Sequence, residues 1–273
     1  MSTPALTMAD DVAAPRSPRR LIPRGLGRLT RTEVRLFTRD IGTLFFALAF
    51  PTVLMLGMGL AIPGMRTPVE GMGPATDGLL LIHVFTPALV SVAIATVGLT
   101  TLPAYLSTYR EQGIFRRLST TPMHQGGVLY AHLVISVLAL LIAAPLAVVA
   151  GVLAFDVPLP ANPALVGAAF LLGSGATLGI GLVIGGLAPK ATAASGIGML
   201  VYFPMLFFAG LWTPGPMMPD TLQTIAAYTP LGAVSQALSD GWFGGAAPWL
   251  QLGVLAGYTV VFFAVGARTF RWS

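Results

Sequence analysis

The sequence predicts an all-α membrane protein with six transmembrane helices. Of its 273 residues, 55% are hydrophobic and only 9% are charged, whereas about a quarter of the residues of a typical soluble domain are charged. Six uncharged segments are long enough to cross the hydrocarbon core, which takes about 20 helical residues. The length suits one bundle of spans, with no room for a large soluble domain as well.

The bundle is preceded by a lead and an amphipathic helix. Residues 1–22 are rich in Pro, Ala, Ser and Arg, and this composition predicts a disordered cytoplasmic segment. In residues 23–40 arginines recur every three or four positions, so they share one helix face while apolar residues gather on the other. The pattern predicts a helix lying in the membrane interface.

Two acidic residues, Glu33 and Asp40, fall toward the apolar side of this helix, where a bare carboxylate is unfavourable. We expect one of them to pair with Arg116 or Arg117, in the loop between the second and third spans. The alternative is that both carboxylates reach water at the helix edge, because exposed ion pairs contribute little.

The remaining residues, 41–271, are predicted to form the bundle. Pro51 lies inside the first span and Pro87 and Pro103 inside the second, where membrane helices tolerate proline as a kink or break. The predicted spans are about 41–62, 79–106, 128–155, 164–187, 192–211 and 249–267.

The fourth span is rich in glycine. Gly175 and Gly179 are four residues apart, as are Gly181 and Gly185. Small residues at this spacing let helices approach closely in lipid. We expect static packing here, with a face that shifts during transport as the alternative.

Residues 212–248 form a long apolar segment with no basic residue, interrupted by Pro214, Pro219 and Pro230. The pieces between the prolines are too short to cross a bilayer. Irregular backbone at membrane depth must be shielded by protein. We therefore predict re-entrant or interfacial helices on the outer side.

Basic residues decide the predicted orientation. The N-terminal segment, the 107–127 loop, the 188–191 turn and the C-terminus carry eight, three, one and two of them, which is fourteen of the fifteen in the chain. Cytoplasmic loops carry the excess of Lys and Arg. The pattern therefore predicts that both termini lie in the cytoplasm.

The most charged interruption after residue 40 is Tyr109 to Pro122. On its charges alone it is equally well an ordinary basic loop or a short helix with its apolar side on the bilayer. Glu111, Gly113, Leu118 and Pro122 resemble the cytoplasmic coupling segment of the ATP-binding-cassette type-2 permeases. A second resemblance lies near the fifth span, in Phe203-Pro204, the following Pro-rich turn and Tyr228-Thr229-Pro230.

The resemblance, closest to bacterial drug-exporter permeases of the daunorubicin-resistance kind, implies a membrane subunit in the bacterial cytoplasmic membrane that exports an amphiphilic molecule. It implies a second permease protomer, identical in the simplest case, and an ATPase subunit that binds ATP and Mg while this chain binds no cofactor. The ATPase would contact the coupling segment and the connecting helix, at Tyr109, Arg110, Glu111, Gly113, Phe115, Arg116, Arg117 and Leu118 and at Arg28, Arg31, Glu33, Arg35 and Arg39.

Phenylalanines of the first and fifth spans are the candidate lining of a substrate cavity, because an aromatic, uncharged wall suits a flat or lipid-like molecule. The alternative for each is contact with lipid or with the protein core. The candidates are Phe45, Phe46, Phe50, Phe203, Phe207 and Phe208.

Several other functions are disfavoured by what the sequence lacks. The predicted spans hold no Asp, Glu, Lys or Arg, whereas ion-coupled carriers keep ionisable groups there. No phosphate-binding loop and no catalytic motif is present, and no metal-ligand pattern involves the three histidines. Nucleic acid is an unfavoured partner because the arginines adjoin apolar spans. The open alternatives are a polysaccharide or teichoic-acid exporter and a non-transporting assembly or regulatory subunit.

Overall fold

A computed structural model of the protein describes residues 26–71, 75–114, 117 and 126–269. Within these residues the protein is helical, and the β-pairing is limited to an isolated bridge between Pro68 and Leu80. The predicted all-α class with six helices of spanning length is confirmed. The predicted lead, residues 1–22, lies outside the described residues. The six spans are Ile41–Ala61, Leu81–Glu111, Gly127–Phe155, Pro163–Leu187, Ala191–Phe208 and Trp249–Thr269.

An amphipathic helix, Leu26–Arg39, precedes the first span, and we call it the connecting helix. Asp40 separates the two helices and caps the first span. Its Oδ1 accepts a hydrogen bond from the Thr43 amide at 3.2 Å, and its Oδ2 accepts one from the Thr43 hydroxyl at 2.6 Å. These hydrogen bonds hold the pKa of Asp40 below its ordinary value. The connecting helix, the end of the second span and the 188–190 turn lie at what we call the arginine-rich end.

The second span forms the centre of the bundle, and nearly all of its residues from Ile82 to Leu99 are buried. The fourth span packs beside it through glycine. A Cβ on Gly181 would lie 2.0 Å from the Gly98 carbonyl oxygen, so only glycine fits there. The other glycine pair, Gly175 and Gly179, faces the sixth span. The two predicted small-residue faces thus serve different neighbours.

The first and second spans each contain a widened, π-helical stretch, Phe45–Ala49 and Thr96–Thr101. The amide of Phe50 bonds to the Phe45 carbonyl, five residues back instead of four. Each stretch precedes a proline, Pro51 or Pro103, which has no N–H and whose ring crowds the carbonyl four residues back. A widened turn before each of these two prolines relieves that crowding.

Two short helices, Asp220–Tyr228 and Pro230–Phe243, connect the fifth and sixth spans at the opposite end. Neither is long enough to cross a bilayer. The second of them is buried in the bundle, where the Trp242 indole donates to the Pro158 carbonyl at 2.7 Å. Near them, Nε2 of His83 lies 2.7 Å from the Phe155 carbonyl oxygen, so this histidine joins the second and third spans.

Candidate functional site

A buried carboxylate joins three helices at the arginine-rich end. Glu33, on the connecting helix, is only 7% exposed. Its Oε2 accepts a hydrogen bond from the Tyr109 hydroxyl of the second span at 2.5 Å and lies 3.6 Å from Nε2 of His132 on the third span. Burial raises the pKa of Glu33, although the hydrogen bond from Tyr109 acts in the opposite direction.

Aromatic contacts extend this cluster. The ring of Tyr105 stacks on His132 at a centroid distance of 5.3 Å, and the ring of Tyr109 lies 4.9 Å from His132. The Tyr105 hydroxyl donates to Oδ2 of Asp40 at 3.1 Å. Two tyrosines of the second span therefore bind one carboxylate within the connecting helix and one directly after it. We call Glu33, Asp40, Tyr105, Tyr109 and His132 the carboxylate cluster.

The structure shows contacts of Glu33 other than the predicted one with Arg117. Glu33 accepts a hydrogen bond from Tyr109 and lies near His132, whereas the exposed guanidinium of Arg117 donates to the Gln112 carbonyl at 2.7 Å. The helical register turns Glu33 inward against the second span, whereas Arg117 follows the turn beyond it. Asp40 bonds to Thr43 and Tyr105. Arg116 lies outside the described residues.

The candidate coupling residues divide into two groups. Tyr109, Arg110 and Glu111 form the last turn of the second span, which continues to Glu111 instead of ending at about 106. Gly113, with φ of +66°, turns the chain out of the helix. Phe115, Arg116 and Leu118 lie outside the described residues.

Two of these side chains also bind the turn before the fifth span. Arg110 donates through Nη1 to the Ala188 carbonyl at 3.1 Å. Oε2 of Glu111 accepts from the Ala191 amide at 3.1 Å, at the N-terminus of the fifth span. An amide at a helix N-terminus is otherwise without an intrahelical partner, and a carboxylate there is favoured by the helix dipole. These two hydrogen bonds join the end of the second span to the start of the fifth.

The arginines of the connecting helix present a charged surface next to this cluster. Arg31, Arg35 and Arg39 are exposed, while Arg28 lies in the same helix with its side chain outside the description. Glu33, between them in sequence, points the other way. The helix thus has an inner face fixed to the bundle and an outer face open to contact.

A cavity of about 750 Å³ lies between the first, second and fifth spans. Phe46, Phe50 and Phe203 are among its lining residues, and both π-helical stretches contribute to its wall. Three of the six predicted phenylalanines are thus brought together. Phe45 and Phe207 are exposed elsewhere and do not line it, and Phe208 lines a second cavity. The hydrophobicity of phenylalanine therefore does not distinguish the residues that line this cavity from those that do not.

Threonines were missed as lining residues. The hydroxyls of Thr96, Thr100 and Thr108 donate to the carbonyls four residues before them in the second span. A hydroxyl that bonds to its own helix presents chiefly its methyl group to a cavity. The wall is therefore less polar than its number of threonines suggests. Its polar opening is at the arginine-rich end, where Asp40 and Tyr105 line it.

The predicted re-entrant turn belongs to the second cavity, of about 580 Å³, at the opposite end. Pro214 lines that cavity and is buried. Pro219 directly precedes the first short helix, and Pro230 is the first residue of the second, where a proline costs no hydrogen bond.

Residues 24–243 match the family model described as ABC-2 type transporter. The chain belongs to the ABC-2 type transporter family. Membership makes it the permease component of an ATP-binding-cassette exporter and a multi-pass membrane protein, and it implies association with an ATP-binding-cassette ATPase. A comparison with curated proteins found no match.

The ABC-2 match extends from the connecting helix through the second short helix. It therefore includes the carboxylate cluster, the coupling residues and most of the walls of both cavities. Of the described elements only the sixth span falls outside it.

Proposed function

We propose that this ABC-2 permease exports an amphiphilic, drug-like or lipid-like molecule from the bacterial cytoplasm and thereby contributes to antibiotic resistance. The arginine-rich end faces the cytoplasm, because fourteen of the fifteen basic residues belong to the segments assigned to that side. A separate ATPase subunit binds ATP and Mg there, and a second copy of the permease completes the transporter.

The ATPase contacts the outer face of the connecting helix and the segment beginning at Tyr109. Closure of the ATPase pair can shift the permease only through contacts that differ between its two states. The carboxylate cluster supports such a route, since it attaches the connecting helix to the second span. Arg110 and Glu111 extend the route to the fifth span. Both helices that receive the movement line the cavity of about 750 Å³.

The observation that carries the proposal is this cavity. Its volume lies within the range of about 300–1,000 Å³ that small-molecule sites occupy. Aromatic and aliphatic side chains dominate its wall, and the threonine hydroxyls bond to their own helix. A sugar polymer requires many free polar groups on the wall, so the lining favours an amphiphile. The π-helical stretches place irregular hydrogen bonding in the wall, as is frequent at functional sites.

The test is transport in proteoliposomes containing the permease and its ATPase. The variant Ala104→Trp places an indole at the cavity wall, and we expect it to reduce ATP-driven uptake of a fluorescent amphiphile at least tenfold. The control Leu153→Trp adds the same group at a position that is 81% exposed on the bundle surface, and transport should be unchanged. Uptake by Ala104→Trp at the rate of the control would contradict the proposal.

A further inference from the structure

The cavity of about 580 Å³ at the opposite end differs chemically from the first one. Three glutamines and one carboxylate lie in its wall beside apolar and aromatic side chains. The short helices and the starts of the second and sixth spans enclose it. The wall includes Phe208, Gln223, Tyr228, Gln236, Asp240 and Gln251.

A chain of hydrogen bonds fixes the orientation of the three amides. The Gln223 Nε2 donates to the Met218 carbonyl at 2.8 Å, and the Gln236 Nε2 donates to the Gln223 carbonyl at 2.9 Å. Because these acceptors are carbonyl oxygens, the nitrogen of each amide must face them. The Gln236 Oε1 then faces Gln251, whose Nε2 donates to it at 3.0 Å.

Among the residues that the structure describes, three acceptor groups of this wall remain without a protein donor. Within the described part of the chain, the amide oxygens of Gln223 and Gln251 and the carboxylate of Asp240 accept no hydrogen bond from protein. Asp240 lies in the last turn of its helix, where the dipole favours a positive charge and disfavours a carboxylate. Burial raises the pKa of Asp240, because the surrounding protein solvates its charged form poorly.

We propose that this second cavity binds the positively charged group of an amphiphilic cation, with Asp240 as its counter-ion and the Gln223 and Gln251 oxygens as further acceptors. Tyr228 and Phe208 in the same wall supply aromatic side chains, which attract organic cations. The proposal rests on the proposed export function in one respect: it makes this cavity a substrate-binding site at the outer end of the transport pathway. It specifies the substrate class as cationic.

An organic cation fits the cavity better than a metal ion. Ca²⁺ takes six to eight oxygen ligands, commonly with several carboxylates. In the part of the chain that the structure describes, Asp240 is the one carboxylate of this wall, and no group of three acidic or histidine side chains is placed to hold a metal. The volume also far exceeds that of an ion, but lies within the range of drug-sized ligands.

The test is equilibrium binding to the purified full-length permease in lipid nanodiscs. The probes are tetraphenylphosphonium and tetraphenylborate, which share size and shape and differ in the sign of their charge. We expect saturable binding of the cation, weakened about tenfold or more by Asp240→Asn, because a charge-assisted contact in a partly buried site contributes that much. Asp220→Asn, which removes an exposed carboxylate outside the cavity on the same segment, should leave binding unchanged.

Three results would overturn the proposal: no saturable binding of tetraphenylphosphonium, equal affinity in the wild type and Asp240→Asn, or equal affinity for tetraphenylborate. The assay needs no ATPase, so its outcome is independent of the export function. Asp240-dependent binding without ATP-driven transport would support this site and refute export. Transport of neutral amphiphiles with unaltered cation binding in Asp240→Asn would refute the site and leave export standing.

Discussion

The second and sixth spans are nearly equal in mean hydropathy, at 1.9 and 1.8, yet they occupy opposite environments. Of the most apolar window of each, 94% is buried inside the protein in the second span and 11% in the sixth. Lipid and protein core are equally apolar solvents for a side chain, so hydropathy identifies both helices as spans and distinguishes neither. The difference between them is made by close contacts and hydrogen bonds with neighbouring helices.

The largest expected difference between the second and sixth spans is the loss of stability when a glycine at their contacts is enlarged. Gly181 of the fourth span touches the second span at the Gly98 carbonyl, so Gly181→Leu forces the helices apart and should cost about 3 kcal/mol or more of the free energy of unfolding. Gly257 of the sixth span has nothing within 4 Å of a Cβ built on it. Gly257→Leu is the matched control.

Thermal unfolding of both variants in detergent, followed by the fraction that remains monodisperse on heating, measures this difference. We expect a strongly lowered Tm for Gly181→Leu and a Tm near that of the wild type for Gly257→Leu. Equal Tm values would show that the central position of the second span depends little on this contact.

A smaller difference in stability is expected when one tyrosine hydroxyl is removed from each of the two spans. Tyr109→Phe in the second span removes the hydrogen bond to the buried Glu33 carboxylate and should destabilise the protein by about 1–3 kcal/mol. Tyr258→Phe in the sixth span removes a 3.3 Å bond from its hydroxyl to the exposed Tyr228 carbonyl, which water can replace. Its expected effect is within about 0.5 kcal/mol.

The same tyrosine pair separates coupling from stability. At a temperature where both variants are folded, Tyr109→Phe should lower the stimulation of the ATPase by the permease, because the connecting helix is held less firmly to the second span. Stimulation by Tyr258→Phe should be that of the wild type. Undiminished stimulation in Tyr109→Phe would remove the carboxylate cluster from the coupling route.

The smallest expected effect is a pH dependence from Glu33, which contacts the second span and has no counterpart on the sixth. Its pKa is raised by burial, so the folded protein binds this proton more tightly than the unfolded chain. The resulting stabilisation is complete below the ordinary pKa of 4.5 and is lost as the pH rises through the higher folded value. Glu33→Gln keeps an acceptor for Tyr109 and removes the titration.

Unfolding in detergent between pH 4 and pH 8 checks this sign. Relative to Glu33→Gln, the wild type should lose stability as the pH rises. A stability difference that is constant over this range would show that Glu33 titrates as it does in water.

Much of this architecture was predictable from the sequence, because spanning length and arginine placement are properties of the chain alone. The six spans and the amphipathic connecting helix belong to this part. The carboxylate cluster was not predictable, since Glu33 reaches Tyr109 and His132 across distances of 76 and 99 positions in sequence and only helix packing brings them together. His132, near the start of the third span, is buried where it meets the other members of the cluster.

The cavity was predictable only in part, for a related reason. On the first span Phe46 lines the cavity and its neighbour Phe45 does not. On the fifth span Phe203 lines it and Phe207 does not, although the residue type is the same in each case. The rotation of a helix with little amphipathic character is set by its neighbours. A usable signal did exist in Pro51 and Pro103, since each follows a π-helical stretch that contributes to the cavity wall.

The central claim is that the cavity between the first and fifth spans changes shape as the ATPase works. The chain contains no cysteine, so Phe50→Cys and Phe203→Cys can be introduced on opposite walls and joined through two disulfide bonds by a bifunctional methanethiosulfonate reagent, with each single-cysteine variant as control. The account predicts that joining them stops ATP-driven transport, that a reductant restores it, and that the reagent leaves the transport rate of each single variant as it was before treatment. Transport at the wild-type rate with both cysteines fully joined would contradict it.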